Sequence, residues 1–203
     1  MASGYLDQQR DRVYEDLSGL IKGKVLRSPV YLELFASDAG LFHIPPLVVV
    51  RPQSSADVVA CLQYCSDRRI PVHARGAGTG CAGESLGPGV VIDFSAYLRR
   101  TSVLDPQASY VRVQPGATFD RLQAQLERYQ RMLPFDPGHI GVSTLGGAYA
   151  RCRRDRVRTI MAPFVIGFAR SPSASPMEPA CIWAERTSLS TPVPPHSRLR
   201  AAS

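Results

Sequence analysis

The sequence has no apolar run long enough to cross a membrane as a helix. No stretch approaches the roughly 18 consecutive apolar residues that such a helix needs, and residues 1–7 lack the basic and apolar regions of a secretory signal. We therefore expect a cytoplasmic protein without a transmembrane segment. The chain of 203 residues is 44% hydrophobic, which is enough for a globular domain with a hydrophobic core.

A basic surface is also missing from most of the chain, although the formal net charge is +7. Residues 1–150 contain 15 basic and 14 acidic residues, whereas residues 151–203 contain 9 basic and 3 acidic residues. The positive charge therefore belongs to the C-terminal segment, and we expect no nucleic-acid partner for the folded part.

The five cysteines do not form a metal-binding motif. Cys61 and Cys65 lie four residues apart in a predicted helix and could supply half of a metal site, but no CxxC motif or second Cys/His pair completes it. We expect reduced thiols and no bound metal.

The most distinctive stretch that is present is glycine-rich: residues 75–83 read RGAGTGCAG, between the apolar runs 71–74 and 89–93. Glycine has no Cβ and tolerates positive φ, so such a segment can turn successive N–H groups toward one anion. The pattern predicts a loop that binds a phosphate or diphosphate. A plain glycine-rich β-turn loop is the structural alternative.

Helical and strand patterns surround this loop, and their order predicts a mixed α+β fold. Residues 28–44 are predicted as turns, and Ser54 or Ser55 and Thr118 are predicted N-caps. The predicted helices are 5–27, 56–68 and 119–129, and the predicted strands are 47–50, 70–74, 90–94 and 110–114. The predicted inner face of the second helix is Val58, Val59, Leu62 and Cys65.

Residues 78–83 also match the G-x-G-x-x-G fingerprint of the nicotinamide-binding Rossmann fold. That fingerprint requires a helix to begin at its last glycines, so that the helix N-terminus meets the diphosphate. Here Gly87-Pro88-Gly89 and a strand follow instead, which excludes the Rossmann interpretation. A Walker A loop is excluded because no Gly-Lys-Ser/Thr follows.

Several motifs, taken in order, resemble the PCMH-type FAD-binding domain of the vanillyl-alcohol oxidase / p-cresol methylhydroxylase superfamily. The motifs are PLVVVRP (46–52), PVHARGAGTG (71–80), VIDFS (91–95), VRVQPGA (111–117), DPG (136–138) and TLGG (144–147). The chain is most similar to glycolate oxidase subunits, D-lactate dehydrogenases and D-2-hydroxyglutarate dehydrogenases, and Ser37-Asp38-Ala39 resembles the larger members that carry an iron–sulphur domain. The resemblance implies a helical arm (1–30), an incomplete FAD-binding domain (31–150) and a tail (151–203).

The resemblance also implies which residues bind FAD. Residues 75–80 match the diphosphate loop, where backbone N–H groups and the Thr79 hydroxyl would bind the oxygens; a surface salt bridge is the alternative role for Arg75. The turn Pro115-Gly116 would lie near the cofactor or be merely structural, and two later segments would line the flavin and diphosphate. The implied set is Arg75, Gly76, Ala77, Gly78, Thr79, Gly80, Pro115, Gly116, Pro137, Gly138, Ser143, Thr144, Gly146 and Gly147.

Some superfamily members tether FAD to a histidine at the position that Thr79 occupies here. Threonine cannot form that bond, so the resemblance implies non-covalent FAD. His73 lies on the preceding predicted strand, and we interpret it as a strand histidine; contact with the cofactor is the alternative.

In such enzymes FAD accepts a hydride from the α-carbon of a D-2-hydroxy acid, while a base, commonly histidine, removes the hydroxyl proton. The family places these catalytic residues in a later domain, so we expect none in this chain. We expect weak or absent flavin binding and no turnover. The alternatives are an inactive FAD- or nucleotide-binding fragment, and a non-functional truncated product or basic-tailed interaction protein.

Residues 151–203 do not continue the family pattern. They are rich in Pro, Ser and Arg, a composition that predicts disorder. One explanation is a basic interaction tail. The explanation we favour is a departure from the family reading frame near Ala150, through a frameshift or a retained intron. Coding DNA that shows no continuation of the flavin domain in another frame would exclude it.

Overall fold

A computed structural model describes residues 2–102, 110–130, 132–133, 138–150, 167–169 and 181–183. Helices and strands are mixed along the chain, which confirms the predicted α+β fold. The helices are α1 (Ala2–Leu20), α2 (Pro29–Phe35), α3 (Ser55–Asp67), α4 (Phe119–Glu127) and α5 (Leu145–Ala150). The strands are β1 (Lys24–Leu26), β2 (Val48–Arg51), β3 (Val72–Arg75), β4 (Val90–Asp93), β5 (Tyr110–Arg112), β6 (Gly167–Ala169) and β7 (Cys181–Trp183).

The first sheet has the strand order β1-β2-β4-β3. Strands β2, β4 and β3 are parallel, and β1 pairs antiparallel with β2. Although β3 and β4 are parallel neighbours, residues 76–89 between them contain no helix. The Rossmann interpretation is therefore rightly excluded, and the glycine-rich loop begins at the carboxyl end of β3.

Helices cover both faces of this sheet, which is why the first three residues of each central strand, β2 and β4, are all apolar. Val48 and Val50 pack with α1 and α3, whereas Val49 packs with α2, because successive side chains of a strand point to opposite faces. Val13 and Leu17 of α1 enter the first of these layers, together with Ile21 directly after that helix.

A second cluster of buried side chains forms around α4. It contains Val111, Val113, Ala117, Phe119, Leu122, Leu126 and Leu145. Its sheet has the order β5-β7-β6, with antiparallel pairs. Val111 and Val113 are buried while Arg112 is exposed, so the predicted half-exposed strand is confirmed there.

Two elements that precede β2 were not predicted. Helix α1 ends at Leu20 rather than near Arg27, because residues 24–26 extend to pair with β2. Residues 28–44, predicted as turns, contain α2, which begins after Ser28 with Pro29 in its first turn, where the missing N–H of proline costs nothing.

Helix α3 has the predicted N-cap: Ser54 Oγ accepts a hydrogen bond from Asp57 N at 3.2 Å. Its predicted inner face is right only in part, however, since Cys65 is buried whereas Leu62 is 37% exposed. The buried residues are Asp57, Cys61, Tyr64 and Cys65. The helix is rotated because the Asp57 carboxylate is held inside by the backbone N–H groups of Gln53 and Lys22, at 2.8 Å and 3.3 Å.

Thr118 is the N-cap residue of α4, as predicted, but its hydroxyl bonds to the Asp120 carboxylate rather than to a backbone N–H. Strands β6 and β7 lie in the segment predicted as a tail. The other residues of 151–203 lie outside the described part, so their disorder stays a prediction. No described helix combines the length and the apolar composition that a membrane span requires.

Candidate functional site

The glycine-rich loop and the segment that leads into α5 face each other across a pocket of about 110 Å³. The loop supplies one wall and the later segment the other. The lining residues are Ala74, Gly76, Ala77, Gly78, Thr79, Gly80, Glu84, Ser85, Ser143, Thr144, Gly147, Ala148 and Ala150. Two of the predicted segments, 60 residues apart in the chain, are therefore brought together at one site.

The two walls meet most closely at Gly76 and Thr144. A Cβ atom at Gly76 would overlap Thr144 Oγ1, so only glycine fits there without movement. The same hydroxyl oxygen accepts a hydrogen bond from Gly147 N at 3.3 Å. Thr144 is buried, at 3% exposure, and its hydroxyl contacts both walls of the pocket.

Two hydroxyl groups of the pocket lining lack a hydrogen-bond partner within the described part of the chain. Ser85 Oγ and Ser143 Oγ are both buried, and neither bonds to a described group of the protein. Buried polar atoms are normally paired, and each one left unpaired costs about 1–3 kcal/mol. The pocket therefore presents two donors that a ligand rich in oxygen atoms would satisfy.

Arg75 is placed behind the loop rather than in the pocket lining. Its side chain is buried, and its guanidinium donates to the carbonyl oxygen of Ser37 at 2.8 Å and to that of Phe35 at 3.4 Å. The guanidinium also stacks over the Phe35 ring, 5.0 Å from the centroid. Burial lowers the pKa of Arg75, while the nearby carboxylates of Asp93 and Asp38 oppose that shift.

The turn at Pro115-Gly116 supports the second wall from behind. Pro115 O accepts a hydrogen bond from Gly146 N at 2.8 Å, and Ala117 O accepts one from Leu145 N at 2.9 Å. A Cβ on Gly146 would lie 2.7 Å from Pro115 Cβ. These residues position α5 and do not themselves line the pocket.

Of the DPG motif, Gly138 alone lies within the described residues. Gly138 has a φ of +77°, is exposed and is not among the described residues that line the pocket. Pro137 lies outside the described residues, so its predicted role stays a prediction.

Sequence reasoning missed several lining residues, namely Ala74, Glu84, Ser85, Ala148 and Ala150. The sequence does indicate Ser85 as a possible lining residue, because a small polar residue directly after a glycine-rich loop is well placed to extend the binding site. For Ala148 and Ala150, small size is the only feature of the sequence that would indicate such a role.

Other candidate groups lie apart from the pocket. His73 is on β3, as predicted, and its imidazole packs against Gly87 rather than lining the pocket. Cys61 and Cys65 are buried and free, and a hydrogen bond with Cys65, together with burial, raises the pKa of the Cys61 thiol. Within the described ranges, no three His, Cys, Asp or Glu residues gather as metal ligands.

A model of the FAD binding domain family matches residues 46–153, which is more than half of the chain. This chain belongs to the FAD-binding domain family. The match contains both walls of the pocket, and it confirms the predicted resemblance to flavoproteins of the PCMH type.

Two curated dehydrogenases are similar in sequence to this chain. The mitochondrial D-lactate dehydrogenase (cytochrome) of Arabidopsis thaliana is 36% identical over 109 residues, which are 53% of this chain and 19% of the relative. The D-2-hydroxyglutarate dehydrogenase of Escherichia coli K12 is 29% identical over 115 residues, which are 55% of this chain and 11% of the relative. The chain thus spans a fifth or less of either relative. Since one of them is mitochondrial, the cytoplasmic location stays a prediction.

Among solved structures, p-cresol methylhydroxylase with bound substrate aligns with a TM-score of 0.60 and 17% sequence identity. The alignment covers 68% of this chain and 28% of that protein. At this identity the likeness shows the fold alone, and it confirms the PCMH-type architecture.

Proposed function

We propose that this chain binds FAD non-covalently, with the diphosphate in the pocket between residues 76–80 and 143–147. It would represent part of the flavin domain of a dehydrogenase that oxidises a D-2-hydroxy acid. The observation that carries the proposal is the pocket itself, where a glycine loop faces two buried hydroxyls without partners, Ser85 Oγ and Ser143 Oγ.

The pocket residues fit the diphosphate of FAD. Glycines at positions 76, 78 and 80 let the backbone approach the ligand closely, and Ser85, Ser143 and the Thr79 hydroxyl would donate to its oxygens. Among the described lining residues, only Glu84 has a charged side chain, so neutral donors would do most of the binding.

The described lining of the pocket contains no histidine, which supports non-covalent attachment. Thr79 lines the pocket, at the position where some superfamily members have a tethering histidine. Its hydroxyl can donate a hydrogen bond to FAD but does not form the covalent bond.

Bound FAD would supply the acceptor for the substrate hydride. The residues around the pocket would bind and orient FAD, because the lining, as far as the structure describes it, contains neither a histidine to act as a base nor an arginine to bind a carboxylate. The pocket of about 110 Å³ is also smaller than the roughly 300–1,000 Å³ typical of complete ligand sites. We therefore expect weak FAD binding and no turnover, and these same observations favour the second candidate, a nucleotide-binding fragment without catalysis.

A titration of the purified protein with FAD, followed by calorimetry and by the flavin absorbance spectrum, tests the proposal. We expect saturable binding, release of all flavin into the supernatant after acid precipitation, and no bleaching by D-lactate. Ser143→Ala should weaken binding by about five- to tenfold, the value of one lost hydrogen bond. Ser66→Ala, at an exposed position of α3, is the matched control and should leave the affinity unchanged.

The outcomes separate the functions. Bleaching by a D-2-hydroxy acid would show that the chain is a complete dehydrogenase, and flavin that stays with the precipitate would overturn non-covalent binding. A protein that binds no FAD, or a Ser143→Ala variant with wild-type affinity, would contradict the site.

A further inference from the structure

We propose that residues 35–40 form a clasp that holds the glycine-rich loop in its ligand-binding shape, with Asp38 as its central positioning residue. The clasp lies between β1 and β2 in the chain, and its residues are not among those that line the pocket. This inference deepens the proposed function and rests on it, since it explains why the loop would be ready to receive a diphosphate.

Both carboxylate oxygens of Asp38 are engaged by backbone N–H groups. Oδ1 accepts from Gly40 N at 2.7 Å, within the clasp, and Oδ2 accepts from Gly83 N at 2.9 Å, at the far end of the loop. Gly83 has a φ of +75°, a conformation that few other residues adopt readily. One carboxylate thereby fixes both its own turn and the end of the loop.

The backbone of the clasp binds the middle of the loop. Ala39 N donates to Gly78 O at 3.2 Å and to Gly80 O at 3.0 Å. In a trans peptide the C=O and the following N–H point in opposite directions. The N–H of Thr79, which follows the Gly78 carbonyl, therefore points away from the clasp, as binding a ligand on the opposite side requires.

Arg75 fastens the start of the loop to the same segment. Its guanidinium bonds to the carbonyl oxygens of Phe35 and Ser37, and a Cβ on Gly78 would lie 2.5 Å from its Nη2. The guanidinium thus lies directly beneath the loop. Both carbonyl bonds are made by Nη1, and Arg75 is not among the described residues that line the pocket, so we assign Arg75 a positioning role.

The start, middle and end of the loop are thus each bonded to residues 35–40. Binding to a loop that is already ordered avoids the entropy cost of ordering it. Loss of the Asp38 carboxylate should therefore loosen the loop before any ligand is present, which gives the proposal a readout that does not depend on FAD.

Hydrogen exchange of the apo protein, combined with FAD titration, tests the clasp on Asp38→Ala and Asp38→Asn. In Asp38→Ala, peptides spanning 76–85 should exchange at least about tenfold faster, while α3 keeps its wild-type rate, and FAD affinity should fall by about tenfold. Asn retains one acceptor oxygen, so Asp38→Asn should lie between Ala and wild type. Asp67→Ala, an exposed acid at the end of α3, is the matched control and should change neither quantity.

Unchanged loop exchange in Asp38→Ala would overturn the clasp. If Asp38→Ala unfolds as a whole, Asp38→Asn is used for the test instead. Hydrogen exchange that is accelerated equally in the loop and in α3 of Asp38→Asn would also overturn the clasp. If the wild-type protein binds no FAD, the proposed function fails, while the ratio of loop exchange to α3 exchange still decides whether the clasp exists.

Discussion

At the scale of single residues, the absence of a side chain at Gly76 decides whether the two walls of the pocket can meet. Gly76→Ala would place a methyl group against Thr144 Oγ1, and Thr144 is itself buried. We expect a loss of about 1–3 kcal/mol in the free energy of unfolding, as for overpacked cores, and weaker FAD binding. Chemical denaturation and calorimetry measure the two effects.

Gly19→Ala is the control for this substitution. Gly19 lies in α1 with open space around it, so alanine there should stabilise the protein by about 0.5–1 kcal/mol and leave FAD affinity unchanged. If Gly76→Ala keeps the wild-type stability and affinity, then Thr144 moves aside and the close contact does not define the pocket.

The residues of the loop could be predicted from the sequence, but their individual tasks could not. The glycines predict that the backbone of the loop comes close to a ligand, and residues 76–80 do line the pocket. The task of Arg75 depends on Phe35 and Ser37, which are 40 and 38 residues away in the sequence, and no local pattern links them. Asp38 was noticed only as part of a resemblance, since its bond to Gly83 spans 45 residues.

At the scale of secondary-structure elements, Asp57 joins the start of α3 to the chain that follows α1. Burial opposes its charge, but hydrogen bonds from the backbone of Gln53 and Lys22 and from Ser54 outweigh it and lower the pKa of Asp57. A lowered pKa stabilises the fold above the ordinary aspartate pKa of about 4, and this stabilisation is lost as the pH falls through the lower, folded-state value.

Asp57→Asn should therefore lower the free energy of unfolding by about 1–2 kcal/mol at pH 7, as expected for the loss of a charged acceptor at a helix start. The difference from wild type should shrink below pH of about 4, where the wild-type carboxylate also loses its charge. Urea denaturation across this pH range measures both quantities. Asp67→Asn is the exposed control on the same helix, and a deficit in Asp57→Asn that stays constant down to low pH would contradict the role of the charge.

Elements with strong local patterns were predicted well, and those that depend on distant pairing were not. The valine runs of β2 and β4 are buried on both faces, as their unbroken apolar character indicates. Strand β1 has three residues and exists because it pairs with β2, while α2 has seven and is buried mainly through Leu32 and Phe35. The inner face of α3 was predicted correctly at Cys65 but not at Leu62, because apolar periodicity gives no weight to the buried Asp57.

At the scale of the whole molecule, the chain corresponds to a fraction of its relatives. It matches 11% of the Escherichia coli enzyme and 19% of the Arabidopsis enzyme, and the match contains both walls of the pocket. The wall formed by the glycine-rich loop begins at the end of β3, and the wall formed by the segment that leads into α5 packs on the hydrophobic cluster around α4. The two walls of the pocket that we propose for the diphosphate thus both lie in the matched part of the chain.

A pocket that holds only the diphosphate should barely distinguish FAD from ADP, because both carry the adenosine diphosphate group. By calorimetry we expect dissociation constants for FAD and ADP within about tenfold of each other, and FMN, which has a single phosphate, at least about tenfold weaker than ADP. Binding of FAD about a hundredfold tighter than ADP would mean that this chain also contacts the flavin ring. Such a result would contradict the diphosphate-only pocket and favour a site that is complete enough for catalysis.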